Sequence, residues 1–130
     1  MPDFLFDSNA LIYSAVPSPV YGPLRELLVL PTPQAAVSAI SLVEVLGFPR
    51  LTPLDQLLLE AAFEAVVVIP ILDNIIAAAV DLSRRYGLKA ADAIIGATAL
   101  ETMRTLVSAD DHFRRVPGLL LLHPLNIRSA

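Results

Sequence analysis

The 130-residue chain contains no cysteine. That removes disulfides, thiolate metal sites and cysteine nucleophiles from consideration, and it suits a reducing compartment. Charge is also scarce, with 17% of residues charged against 55% hydrophobic. Such a balance fits an α/β core whose parallel strands are covered on both faces. It leaves thin polar cover for a solitary monomer, so a second copy or another partner is expected over an apolar patch. Positive charge is the scarcest of all: 9 Lys and Arg stand against 13 Asp and Glu, for a net charge of −4. A broad basic nucleic-acid-binding face is thereby excluded, although small local ones are not. Arg84, Arg85 and Lys89 lie close together, as do Arg114 and Arg115, and these five are the candidates for such a local nucleic-acid-binding face.

The opening MPDFLFD has an acid where a signal peptide would carry positive charge. The longest uncharged spans are interrupted by Pro17, Pro19, Pro23, Pro31 and Pro33, so no membrane helix is expected. The expectation is a soluble cytoplasmic protein forming one domain over residues 1–130, a length that buries roughly two-thirds of the unfolded surface.

Strand-like and helix-like segments alternate along the chain. Asp3 to Asp7 reads as a short strand and Ser8 to Ser14 as a helix. Pro23 suits the first turn of a helix reaching Leu30. Ala35 to Ala39 is a second strand, followed by a helix in SLVEVLGF. Thr52, Pro53 and Asp55 make a good start for the helix Leu54 to Val66. VVVIPI is a strand placed at an edge by Pro70. Asp73 is suited to cap a helix that ends at Gly87, with Arg84 and Arg85 in its last turn. LKAADAIIGATALETM is an Ala-rich helix, TLVSA a strand, DDHFRRV a helical turn and LLLL a last strand. This order predicts a three-layer α/β/α sandwich around a mainly parallel sheet of four to five strands. In such sheets ligands bind beyond the carboxyl ends of the strands.

Four acids mark those ends. Asp7 closes the first strand, Glu44 lies one turn into the helix after the second, and Asp110 follows TLVSA. Asp92 lies near the start of the Ala-rich helix. Each has a local explanation: Asp7 and Asp110 as helix caps, Ser41 and Glu44 as a capping box, Asp92 as a partner of the helix dipole. Together they differ from Asp55, Glu60, Glu64, Asp81 and Glu101, which lie on polar helix faces. The four are flanked by apolar residues, where unpaired charge is costly, and bases are too few to pair them. Converging carboxylates raise one another's pKa values. A divalent cation relieves that repulsion, and Mg²⁺ or Mn²⁺ suits an all-oxygen set. Such a site suits phosphoryl substrates, with the cation neutralising phosphate charge and activating water.

These residues carry a resemblance to the PIN domain family, and within it to VapC-like toxins of type II toxin–antitoxin systems. FDSNALIY resembles the family's first motif, with Asp7 and a polar Asn9. VSAISLVEVLGF is similar to the second, with Glu44, and GLKAADAIIGATAL to the third, with Asp92. TLVSADDHFRRVPGL resembles the fourth, with Ser108 and Asp110, while Asp111 is an alternative for its acid. The resemblance implies a metal-dependent ribonuclease, a homodimer and inhibition by an antitoxin. It also implies that Asn9 and Ser108 orient a carboxylate or a water. His112, beside Phe113, reads as packing or surface.

Two other classes compete. An Asp7-nucleophile phosphatase would carry a second Asp where Asn9 stands. A non-catalytic interaction module would bind no cation.

Overall fold

The computed structural model describes residues 3–127, so the terminal residues of the domain expected over 1–130 lie outside the description. Five short apolar runs form one parallel sheet: β1 (Phe4–Phe6), β2 (Ala35–Ser38), β3 (Val67–Ile69), β4 (Thr105–Val107) and β5 (Leu121–Leu122). Their order across the sheet is β3-β2-β1-β4-β5. Every neighbouring pair is parallel. The strands are buried on both faces at the centre, which explains why FLF and AAV read as unbroken apolar runs rather than alternating ones. β3 is at an edge, as Pro70 predicts.

Six helices cover the sheet: α1 (Ser8–Ala15), α2 (Gly22–Val29), α3 (Ala39–Leu46), α4 (Pro53–Glu64), α5 (Asp73–Tyr86) and α6 (Ala90–Glu101). On one face, Phe4, Phe6, Val37 and Val107 pack with Leu11 of α1, Leu24 of α2, Val45 of α3 and Phe63 of α4. On the other, Leu5, Ala36 and Leu106 meet Ile95 and Ala99 of α6 together with Phe113. α5 lies outside α6, joined through Ile75, Ala79 and Leu82 against Ala93 and Ala97. The small residues of α6 let it lie between the sheet and α5, which accounts for its Ala-rich composition. The three layers and the parallel sheet are as the sequence predicts.

Local signals were realised with two exceptions. Thr52 and Asp55 form a reciprocal capping box at α4, and Pro23 sits in the first turn of α2. Ser41 and Glu44 do not form the capping box their spacing suggests. β2 runs directly into α3, so Ser38 takes the cap and Ser41 is buried inside the helix. Asp73 is the first residue of α5 rather than its cap; Leu72 occupies the cap position and no side chain closes it.

α5 stops at Gly87, whose φ of 68° is left-handed. No atom lies within 4 Å of where its Cβ would be, so a side chain there is penalised by backbone conformation alone. Gly96, inside α6, has ordinary backbone, and an added Cβ would meet Leu82 Cδ1 at 3.4 Å. Gly87→Ala is therefore expected to lower unfolding free energy by about 1 kcal/mol. Gly96→Ala should be neutral or stabilising by up to about 1 kcal/mol, through helix propensity. Urea unfolding of the two variants checks both, and a larger loss at Gly96 than at Gly87 would contradict this account.

Candidate functional site

β1 and β4 are central neighbours in register, Phe6 opposite Val107. Chain order reverses between them: β1, β2 and β3 succeed one another to one side, β4 and β5 to the other. Crevices open at such switch points, and the residues just beyond the register are Asp7 and Ser108. The amide of Asp7 donates to the Val107 carbonyl at 2.9 Å and that of Ser108 to Leu122 at 3.0 Å. Both side chains are thus carried at the end of the sheet by ladder-type hydrogen bonds.

Asp7 is only 5% exposed. Its Oδ1 accepts from the Ser8 amide at 2.7 Å, so it does cap α1. Its Oδ2 accepts from the Ser108 hydroxyl at 2.7 Å and from Asn9 Nδ2 at 3.1 Å. Asn9 Oδ1 in turn accepts from the Ala109 amide at 3.2 Å, and Ser108 Oγ from the Asp110 amide at 3.0 Å. Asn9 and Ser108 therefore clamp the turn after β1 to the turn after β4 across Asp7. Burial pushes the Asp7 carboxyl up from 3.8 to about 6. The Ser108 and Ser8 hydrogen bonds oppose this, and the negative charges of Asp92 and Glu44 add to it.

Glu44 reaches the pocket from exposed positions on α3. Ser8 Oγ is 2.7 Å from its Oε1 and 3.0 Å from the Ser41 hydroxyl. One hydroxyl has one proton and a carboxylate only accepts, so Ser8 donates to Glu44 and accepts from Ser41. This two-serine chain ties a long side chain to the turn after β1. Sequence assigned Ser8 no part in the site and Ser41 only a capping box, because the Ser8 hydroxyl's partners lie more than thirty residues away.

Asp92, in the first turn of α6, and Asp110, which caps a 3₁₀ turn over Asp111–Arg115, come from opposite sides. One ligand-type atom from each of Asp92, Asp110 and His112 lies within 4.8 Å of the other two. Asp92 is half-buried, and burial raises its pKa. The charges of Asp110 and Glu44 raise it further, while His112 and Lys89 oppose. The charges of Asp92 and Glu44 are felt at Asp7, and those of Asp110 and Glu44 at Asp92, so the four acids are neighbours. The group that closes to ligand-type separation is Asp92, Asp110 and His112, without Asp7 or Glu44. Asp111 points away: its side chain is 83% exposed and pairs with Arg114 at 3.2 Å. His112, given no role by sequence, lies at the pocket with Nδ1 3.1 Å from Asp110 Oδ1.

The basic candidates are mostly engaged elsewhere. Arg85 pairs with Asp81 at 3.0 Å, Arg114 with Asp111, and Arg115 donates to the Tyr86 carbonyl at 3.4 Å. Arg84 is exposed on the last turn of α5. Lys89, which precedes α6, is the one whose charge is felt at Asp92. Among the described residues, no Lys, Arg or His forms an ion pair with Asp7, Glu44 or Asp92. Negative charge gathered with only His112 and Lys89 as basic neighbours, and presented by carboxylate oxygens, fits a hard divalent cation.

An independent comparison agrees with this architecture. The family model of the PIN domain matches residues 4–119. No curated protein matches the chain. Among solved structures, a chain of a toxin–antitoxin complex from Klebsiella pneumoniae is 28% identical with a TM-score of 0.73. The match covers 94% of this chain and 98% of that one. VapBC2 from Rickettsia felis, bound to a DNA fragment from its promoter, gives 22% and 0.75 over 92% and 97% of the two chains. DNA-bound VapBC from Salmonella typhimurium gives 21% and 0.77 over 95% and 99%.

The raised carboxyls make a pH prediction with a definite sign. A group whose folded pKa exceeds its unfolded value supports folding fully below the unfolded value and loses that support as pH rises through the folded one. For Asp7 the window runs from 3.8 to about 6, a difference equivalent to about 3 kcal/mol. Without divalent cations, unfolding free energy should therefore fall between pH 4 and 7, apart from other titrations. Asp7→Asn should flatten that slope. Urea titrations at several pH values measure it, and equal slopes in the two proteins would refute the assignment.

Proposed function

The chain belongs to the PIN domain family, and on that premise we propose that it is a metal-dependent endoribonuclease and the toxin of a toxin–antitoxin pair. The observation carrying this reading is the gathering of acids: Asp92 and Asp110 offer oxygens at ligand-type separation, and Asp7 and Asp92, each raised first by burial, also feel the charges of neighbouring carboxylates. Asp7, Glu44, Asp92 and Asp110 would hold Mg²⁺ or Mn²⁺. When bound, the cation supplies charge neutralisation of a phosphodiester and activation of water for attack on phosphorus.

The chain's own residues prepare that chemistry. Ser108, Asn9 and the Ser8 amide keep both oxygens of Asp7 ionised and aimed. The Ser41–Ser8 chain restricts Glu44, whose free rotamers would otherwise be lost only on binding. The half-buried Asp92 and Asp110 leave the outer side open to a single-stranded phosphate backbone. Lys89 contributes positive charge felt at Asp92, and Arg84 is exposed on the last turn of α5. This suits RNA held locally by the cation and a few bases rather than by a basic face. The same placement weighs against Asp7 as a phosphatase nucleophile, since it is buried and both its oxygens already accept hydrogen bonds.

The neighbours named as toxin–antitoxin complexes support an antitoxin partner. A groove of about 410 Å³ adjoins Glu44, between α1, α3 and α4. Ile12, Val16, Phe48 and Leu58 give it an apolar wall, while Glu44 and Asp55 make its polar members acidic. An amphipathic antitoxin helix with a basic residue on its apolar border fits that pattern. A homodimer, in the cytoplasm where RNA is met, accounts for the exposed Leu72 at the cap of α5 and Ile76 and Val80 along it. Sedimentation as a monomer at micromolar concentration would remove the dimer from this proposal.

Cleavage of structured RNA with Mg²⁺ or Mn²⁺ tests the activity. Asp7→Asn, Asp92→Asn and Asp110→Asn should each lower the rate at least about 100-fold, and Asp111→Asn should change it by no more than about threefold. Folding is checked by circular dichroism. If Asp7→Asn cuts as fast as the parent, the pocket is not the catalytic site. Leu58→Glu should weaken capture of the cognate antitoxin at least about tenfold, with RNA cleavage retained. Undiminished capture would move the partner off this groove.

A further inference from the structure

We infer that His112 is a nitrogen ligand of the cation held by Asp92 and Asp110, so that the site selects Mn²⁺, or another first-row transition ion, over Mg²⁺. The inference rests on reading the acidic pocket as a cation site and adds to it the ligand set and the metal preference.

Three features support it. The first is separation. His112 Nδ1 is 3.1 Å from Asp110 Oδ1, and one donor atom from each of Asp92, Asp110 and His112 falls within 4.8 Å of the others. Donors bonded at about 2.1–2.2 Å to one six-coordinate ion are about 3 Å apart when adjacent and about 4.3 Å when opposite. The 3.1 Å contact matches the spacing of adjacent ligands, and the 4.8 Å bound on the set lies slightly beyond that of opposite ones.

The second is support. The backbone N–H of His112 also donates to Asp110 Oδ1, at 2.8 Å, so the residue is tied to the carboxylate by main chain as well as ring. Phe113, next in sequence and 1% exposed, anchors the 3₁₀ turn in the core against Leu5, Ile95 and Leu106. The ring is 59% exposed, and so can turn toward an ion without displacing a packed neighbour. A lone surface ion pair with Asp110 explains the 3.1 Å contact alone. It does not explain why the ring also approaches Asp92, which comes from another helix.

The third is donor chemistry. Carboxylate oxygens accept Mg²⁺ and Mn²⁺ alike, whereas imidazole favours the transition ions and does little for Mg²⁺. One nitrogen among oxygens therefore tilts the preference without excluding either ion.

Mn²⁺ is paramagnetic, and a directly bonded imidazole gives ¹⁴N modulation in its pulsed electron paramagnetic resonance spectrum. The chain has only two histidines, His112 and His123, so the signal can be assigned by substitution. The full chain loaded with Mn²⁺ should show the modulation. His112→Gln should abolish it and weaken Mn²⁺ binding about tenfold, with Mg²⁺ affinity unchanged within twofold. His123→Gln should leave all three unaltered. Bound Mn²⁺ without ¹⁴N modulation, or modulation that survives His112→Gln, overturns the inference while leaving the cation site intact. No binding of Mn²⁺ or Mg²⁺ by the folded chain would overturn the cation reading itself.

Discussion

The placement of a carboxylate at the blind end of a parallel strand organises this molecule. Asp7 sits where β1 leaves the sheet, deprived of water and facing other acids, yet it is given three hydrogen-bond donors. Those donors lower its cost but do not cancel it, because its pKa still stands near 6. Two of them, Asn9 and Ser108, spend their remaining hydrogen-bonding capacity on the turn after β4. The carboxylate is consequently the keystone between two loops that 100 residues of chain would otherwise leave independent. Removing its charge without changing its shape affects electrostatics and loop geometry differently, which is what makes it informative to substitute.

The fold was legible because its signals are local and redundant. Apolar runs of three or four residues bounded by Pro, Gly or an acid specify strands, and Thr52, Pro23 and Gly87 mark helix ends by chemistry that acts within one turn. Asp7, Glu44, Asp92 and Asp110 drew notice because acids stand out among apolar neighbours at strand ends, and of these the structure brings Asp92 and Asp110 to ligand-type separation. What sequence could not supply were pairings through space. Ser8 and Ser41 are ordinary residues until α1 and α3 bring their hydroxyls together. Choosing between Asp110 and Asp111 required knowing which one the 3₁₀ turn directs inward. His112 is exposed, as the sequence reading allowed, but its approach to Asp110 was hidden, because whether a histidine beside a phenylalanine also faces a carboxylate depends on the turn's phase. The apparent capping box at Ser41 and Glu44 failed because a better-placed serine, Ser38, stood three residues earlier at the strand's end.

Net negative charge and the proposed action on RNA are compatible because the positive charges do little at long range. Arg85 and Arg114 are each neutralised by an acid one helical turn away, and exposed pairs of this kind contribute little to stability. Their effect is to keep the surface electrically quiet. On the proposed reading, recognition would depend on the acidic cluster, where a bound divalent ion would change the sign of the local field. An acidic protein lacking that ion repels a phosphate backbone, and the loaded one attracts it over a few ångströms only. Substrate binding on this scheme is conditional on the cation, a stronger filter than a permanently basic face would provide.

Glu44 belongs to both the pocket and the apolar groove beside it, and this shared residue gives the proposed partner a direct line to the chemistry. A basic group seated in the groove competes with Ser8 and with the cation for the same carboxylate. Linkage requires the effect to be mutual: whatever a groove occupant takes from cation affinity, the cation takes from the occupant's affinity. An apolar occupant that left Glu44 alone would have no such effect, however tightly it bound. The acidic border of the groove, more than its hydrophobic wall, is therefore the feature that would make occupation of this surface inhibitory.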